Sequence, residues 1–131
     1  MVSFPEIPAS TERIAKPIID AAFVAHRELG PGLLESIYEA CLCEELRRAG
    51  VEFERQKDLP VRYNGQPLEA GLRLDLIVDG VVIVEIKAVA TLLPVHKAQL
   101  MTYLKLTGTR LGLLMNFNET LLKDGIRRVV F

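Results

Sequence analysis

Residues 73–88, RLDLIVDGVVIVEIKA, restrict the fold more than any other stretch of the chain. Two aliphatic segments flank Asp79-Gly80, a strong turn dipeptide, which predicts a β-hairpin built for the interior. The same stretch carries Asp75, Glu85 and Lys87 among its valines and isoleucines. An ionised carboxylate removed from water costs several kcal/mol unless something compensates it, so Asp75 and Glu85 need a partner. Lys87 is one candidate, which would make this an ordinary buried hairpin with a Lys–carboxylate bridge. A divalent cation is the other, because hard ions such as Mg²⁺ take carboxylate and carbonyl oxygens and keep several waters.

Side-chain parity decides whether the three charges converge. Glu85 and Lys87 are two apart and share a strand face. A two-residue turn at Asp79-Gly80 would place Asp75 opposite Val84, on the face away from Glu85. A three-residue loop of Val78, Asp79 and Gly80, with Gly80 in the left-handed position, pairs Ile77 with Val81 and Asp75 with Ile83. Asp75, Glu85 and Lys87 then share one face, and Leu74, Leu76, Val82, Val84 and Ile86 form a wholly apolar opposite face suited to packing on a helix. An odd loop is therefore expected.

The rest of the chain supplies the covering layers. Ser10 and Thr11 are expected to cap a helix with Ile14, Ile18, Ala22, Phe23 and Leu29 at helical spacing, with Pro17 near its start and a stop at Gly30-Pro31. A second helix is expected over 33–49, burying Leu34, Ile37, Tyr38, Cys41, Leu42 and Leu46, with Glu35 one turn from Tyr38 and Glu39. Strand signals follow at VEFERQ and LPVRY, with Asn64-Gly65 as a turn before the charged hairpin. Pro94 opens a third helix, and RLGLLMNF and IRRVVF read as a buried and a more exposed strand. A strand–helix–strand passage near the end requires a crossover, so the order implies an α/β (α+β) fold with a mixed central β-sheet flanked by α-helices.

At 131 residues, half of them hydrophobic and a quarter charged, the chain fits one soluble domain, with residues 1–9 as a flexible N-terminal segment. Sixteen basic and seventeen acidic residues give a net charge of -1, without the electrostatic footprint of a DNA-wrapping protein. Cys41 and Cys43 point to different sides of a helix and have no companion pair, which argues against a disulfide or zinc site. The N-terminus lacks the basic start and apolar stretch of a signal peptide. The most apolar region, 74–95, is interrupted by Asp75, Asp79, Glu85 and Lys87, so no membrane partner is expected and the location is read as cytoplasmic.

The spacing of Asp75 to Glu85-Ile86-Lys87 resembles the core of the PD-(D/E)XK nuclease superfamily, and GLLESIY, Gly32 to Tyr38, is similar to the signature of its GxxExxY family. The likeness continues through HRELGPGLLESIYE, ERQKDLPVRYNG, LLPVHKAQLMTYLKLTG, LGLLMNFN and LKDGIRR. It departs from the superfamily pattern at Leu74, where a proline would precede Asp75. The resemblance implies a restriction-endonuclease-like core in which Asp75 and Glu85 bind the metal, Mg²⁺ or Mn²⁺, together with the main-chain carbonyl of Ile86. It implies that Glu35 reaches the metal directly or through water, that Lys87 orients or activates the attacking water, and that Gln99 is the residue contributed by the third helix. The reaction implied is phosphodiester hydrolysis in nucleic acid, DNA above all, and a homodimer would give a duplex cutter its two active sites. A nucleic-acid- or protein-binding module of the same fold with little turnover is the competing function, and a phosphoesterase acting on nucleotides or RNA is a third.

His96 and Tyr103 flank Gln99 at one-turn spacing and are expected to be hydrogen-bonded packing residues. Lys97, Arg127 and Arg128 are expected to be solvated, His26 to be structural, and Tyr38 to belong to the core.

Overall fold

The computed structural model describes residues 6–131. Of the expected flexible segment 1–9, residues 1–5 lie outside the described residues, and Ala9 already begins a helix. The elements in chain order are α1 (Ala9–Leu29), α2 (Glu35–Arg48), β1 (Phe53–Tyr63), β2 (Gln66–Val78), β3 (Val82–Lys87), α3 (Pro94–Thr107), β4 (Leu111–Asn116), a 3₁₀ turn (Leu122–Gly125) and β5 (Ile126–Val130). The strands form one mixed sheet in the order β1-β2-β3-β4-β5, parallel only between β3 and β4. That parallel pair spans the α3 crossover, as the strand–helix–strand passage requires.

Helices cover both faces of the sheet centre. Ile18, Ala22 and Ala25 of α1 and Tyr38, Leu42 and Leu46 of α2 pack on Leu76, Val78, Val84, Ile86, Leu113 and Met115. On the opposite face Leu100, Tyr103 and Leu104 of α3 pack on Ile77, Ile83, Leu114 and Val129. This two-sided cover explains why β3 and β4 read as continuous apolar runs rather than alternating ones.

Several local expectations are corrected. The first helix begins at Ala9 with Pro8 at its N-cap, and neither Ser10 nor Thr11 caps it. Pro17 therefore lies well inside α1, where burial of Ala15, Ile18, Ala21 and Ala22 outweighs the missing N–H. In α2, Leu34 and Ile37 are exposed and the buried stripe is Tyr38, Glu39, Leu42, Cys43 and Leu46. The helix thus turns an acidic side chain, Glu39, inward. Both cysteines are free.

The charged hairpin has the expected odd loop, displaced by one residue. Ile77 pairs with Ile83 and Val78 with Val82, leaving Asp79, Gly80 and Val81 in the loop. Asp79 and Gly80 both have positive φ, 51° and 68°, and the Val81 N–H donates to the Val78 carbonyl at 3.0 Å. The Asp79 N–H donates to the Glu52 carbonyl, tying the turn to the chain entering β1. Parity is unchanged by the displacement, since pairings that differ by two residues keep every side chain on its face. Leu74 departs from the expected apolar face: it packs with Ile77 and Leu100 on the α3 side, so strand alternation breaks at Asp75.

Only Leu76–Val78 of β2 pair with β3. From Asp75 back to Gln66, β2 pairs with β1 alone and forms a long two-stranded arm, closed at Asn64-Gly65 with both residues at positive φ. The point where the arm leaves the sheet is the point where the charges lie.

Candidate active site

At Asp75 side chains replace the backbone ladder. The Ile86 N–H donates to Asp75 Oδ2 at 2.8 Å, and the Asp75 N–H donates to Glu85 Oε1 at 3.3 Å. Each carboxylate thus satisfies a main-chain N–H of the facing strand where the β2–β3 pairing ends. The Lys87 carbonyl accepts the Phe117 N–H, on the β4 side. Strand alternation then turns both the N–H and the carbonyl of Ile86 toward β2 and the Asp75 carboxylate.

Glu85 is buried, 5% exposed, and its carboxyl is pushed up to about 8, first by burial and next by the charge of Asp75. Asp75 is raised for the same leading reason, with the Ile86 N–H opposing the shift and the Glu39 carboxylate adding to it. Lys87 is half-buried and its charge lowers both carboxyls. No direct ion pair joins it to either carboxylate among the described residues, so the plain Lys–carboxylate bridge does not form.

The expected residues do not all converge. Asp75, Glu85, Lys87 and the Ile86 main chain come together at the end of β3. Gln99, on α3, donates through Nε2 to Tyr103 Oη at 2.8 Å. Tyr103 is buried, and its hydroxyl is raised by burial and by the charges of Glu85 and Asp75, so this pair borders the carboxylates from the α3 side. His96 accepts the Leu93 N–H at Nδ1 and closes the first turn of α3. Glu35 is the first residue of α2, exposed and without a hydrogen bond or ion pair among the described residues.

The acidic side chain of α2 linked to the site is Glu39, 6% exposed. Its Oε2 accepts Arg55 Nε at 2.7 Å and its Oε1 accepts Gln56 Nε2 at 2.6 Å. Gln56 Nε2 also lies 3.5 Å from Asp75 Oδ1. Tyr103 is the hydrogen-bonded packing residue expected, whereas sequence reasoning overlooked Glu39 and Gln56. The place of Glu39 one turn after Glu35 was the available signal, whereas nothing in the text of β1 marks Gln56.

Tyr38 braces the start of α2. Its hydroxyl donates to the Gly30 carbonyl at 2.6 Å and accepts the Leu33 N–H at 3.1 Å, while its ring stacks on Phe117 with centroids 4.8 Å apart. Fully buried Asn116 accepts the Val89 N–H and donates to the Val89 carbonyl, and Asn118 accepts the Gly32 N–H. The α1–α2 and β3–α3 connections are thereby held to the end of β4, which makes that rim of the sheet rigid. His26 is structural, donating to the Glu119 carbonyl at 2.8 Å, and Arg128 pairs with Glu12.

A family model described as the PD-(D/E)XK nuclease superfamily matches residues 12–129. The chain belongs to that superfamily. No curated protein and no solved structure gives a significant match. Divalent metals are the general cofactor of PD-(D/E)XK nucleases, and the donor set here fits one: buried Glu85 and half-buried Asp75 are adjacent carboxylates, both raised chiefly by burial, and among the described residues neither has a cation in direct contact. Among the described residues no three acidic, His or Cys side chains cluster closely enough to hold a metal by themselves. The oxygen donors available to such an ion are Asp75, Glu85 and the Ile86 carbonyl, with water completing the set. No helix of the described residues is long and apolar enough to cross a membrane.

Proposed function

We propose that this protein is a Mg²⁺-dependent nuclease of the GxxExxY family that hydrolyses phosphodiester bonds in DNA in the cytoplasm, with Mn²⁺ able to replace Mg²⁺. The observation that carries the reading is the meeting of Asp75 and Glu85 where the pairing of β2 with β3 ends, with Lys87 two residues beyond Glu85. A metal bound by Asp75, Glu85 and the Ile86 carbonyl would lower the pKa of water and neutralise phosphate charge. Lys87 adds a compact positive charge beside the scissile phosphate and orients the attacking water. Glu35 acts through water from the start of α2, one turn from Glu39 and on the same helix face. Gln99, fixed by Tyr103, borders the reacting group from α3. The whole chain works as one such domain, and a homodimer would present two sites to a duplex.

A second reading, a nuclease-fold binding module with little turnover, is favoured by the position of Glu35 apart from the carboxylate pair. Calorimetric titration with Mn²⁺ and Mg²⁺ tests the metal centre: wild type should bind at millimolar levels or better and Asp75→Ala should not. Single-stranded, duplex and branched DNA then separate the readings. Cleavage abolished by Lys87→Ala supports the nuclease, and binding without cleavage supports the module.

A further inference from the structure

Three described residues other than glycine have positive φ: Asn64 and Asp79, both in hairpin turns, and Gln56 at 52° inside β1. Its neighbours Arg55 and Lys57 pair with Leu76 and Leu74, so Gln56 occupies the rung of Asp75 itself. A left-handed residue within a strand is sterically disfavoured and persists where its surroundings over-determine it, commonly at functional sites. The side chain shows what holds it there. Nε2 donates to Glu39 Oε1 at 2.6 Å and reaches Asp75 Oδ1 at 3.5 Å, so the amide group faces two carboxylates. The reverse orientation would turn the amide oxygen against both. Asp75 Oδ2 is already fixed by the Ile86 N–H, and the contact from Gln56 addresses the remaining oxygen.

We propose that Gln56 is a positioning residue: from its left-handed backbone it orients the Asp75 carboxylate toward Glu85 and links it to Glu39 on α2, tuning the pair's affinity for a divalent cation. The role rests on the metal reading above. A neutral donor suits it, since a lysine or arginine in the same place would orient Asp75 but compete with the metal for its charge. Groups that orient metal ligands typically change metal affinity by about 10- to 100-fold when removed.

Gln56→Gly accepts the positive φ without strain and removes the amide. Calorimetry should show Mn²⁺ affinity falling about tenfold or more in a variant that stays folded by circular dichroism at the titration temperature, its metal-free melting temperature lowered by the lost donor to buried Glu39. Raising Mn²⁺ should restore DNA cleavage by this variant, which it should not do for Asp75→Ala. Gln56→Asn tolerates the left-handed backbone but is one carbon shorter, and it should lose Mn²⁺ affinity in the same way while remaining folded at the titration temperature. Wild-type Mn²⁺ affinity in both variants would overturn the role of Gln56 alone. Failure of the wild type to bind Mn²⁺ would overturn the metal reading and this role with it.

Discussion

Replacing Glu85 by glutamine should stabilise the metal-free protein at alkaline pH while removing the proposed metal site. The substitution keeps an oxygen to accept the Asp75 N–H and deletes only the charge. In the fold the Glu85 carboxyl is displaced from 4.5 to about 8, chiefly by burial and then by Asp75. At about 1.36 kcal/mol per unit, ionising it in place costs up to roughly 5 kcal/mol. Asp75 shares that cost, so a gain of about 2 kcal/mol is expected for Glu85→Gln at pH 8.5, or about 8 °C in melting temperature for a chain of this length. Because the folded pKa lies above the unfolded one, the native state binds more protons between these values. Wild-type stability should therefore fall as pH rises from about 4.5 to 8 and level off above. Asp75, also raised, adds a fall of the same sign. Thermal melts of both proteins from pH 4 to 9 in chelator should show a flatter profile for the variant. Millimolar Mn²⁺ should then raise the wild type at pH 8.5 and leave Glu85→Gln unmoved. Equal stability and equal slope in chelator would refute the claim that a strained carboxylate pair occupies this end of the hairpin.

Two further substitutions probe the frame around the site. Tyr38→Phe keeps the stack on Phe117 but strips the hydroxyl from the Gly30 carbonyl and the Leu33 N–H, and should cost about 1–3 kcal/mol by urea unfolding. A loss below that range would mean that the α1–α2 connection holds itself. At Gly125 an added Cβ would clash with the Asn116 carbonyl oxygen, so Gly125→Ala should destabilise by about 1–3 kcal/mol or more. Unchanged unfolding would show that the turn before β5 shifts freely.

Much of the architecture was legible because apolar periodicity and turn dipeptides are local. The order helix, helix, three or four strands, helix, strand, strand follows from them, VEFERQ and LPVRY joining in one β1, and so does the convergence of Asp75, Glu85 and Lys87 on an odd loop. The loop's exact residues were not legible. Hydrophobic alternation specifies pairing only modulo two, so Ile77 opposite Val81 and Ile77 opposite Ile83 satisfy it equally. The choice between them goes with a contact outside the hairpin, the Asp79 N–H to the Glu52 carbonyl. The inward face of α2 was misjudged for a related reason. Ile37 is more apolar than Glu39, yet Glu39 is buried, since Arg55 and Gln56 of β1 satisfy its carboxylate there.

By itself the sequence determined that Asp75, Glu85 and Lys87 share one face of the hairpin, because strand geometry has a period of two whatever surrounds it. Only the tertiary structure decided that Asp75 takes the Ile86 N–H, that Gln56 turns left-handed to span Glu39 and Asp75, and that Glu35 stands apart. Those outcomes depend on groups from α2, β1, β2 and β3 meeting in one place, and hydrogen bonds between carboxylates and partners distant in sequence leave no period to read.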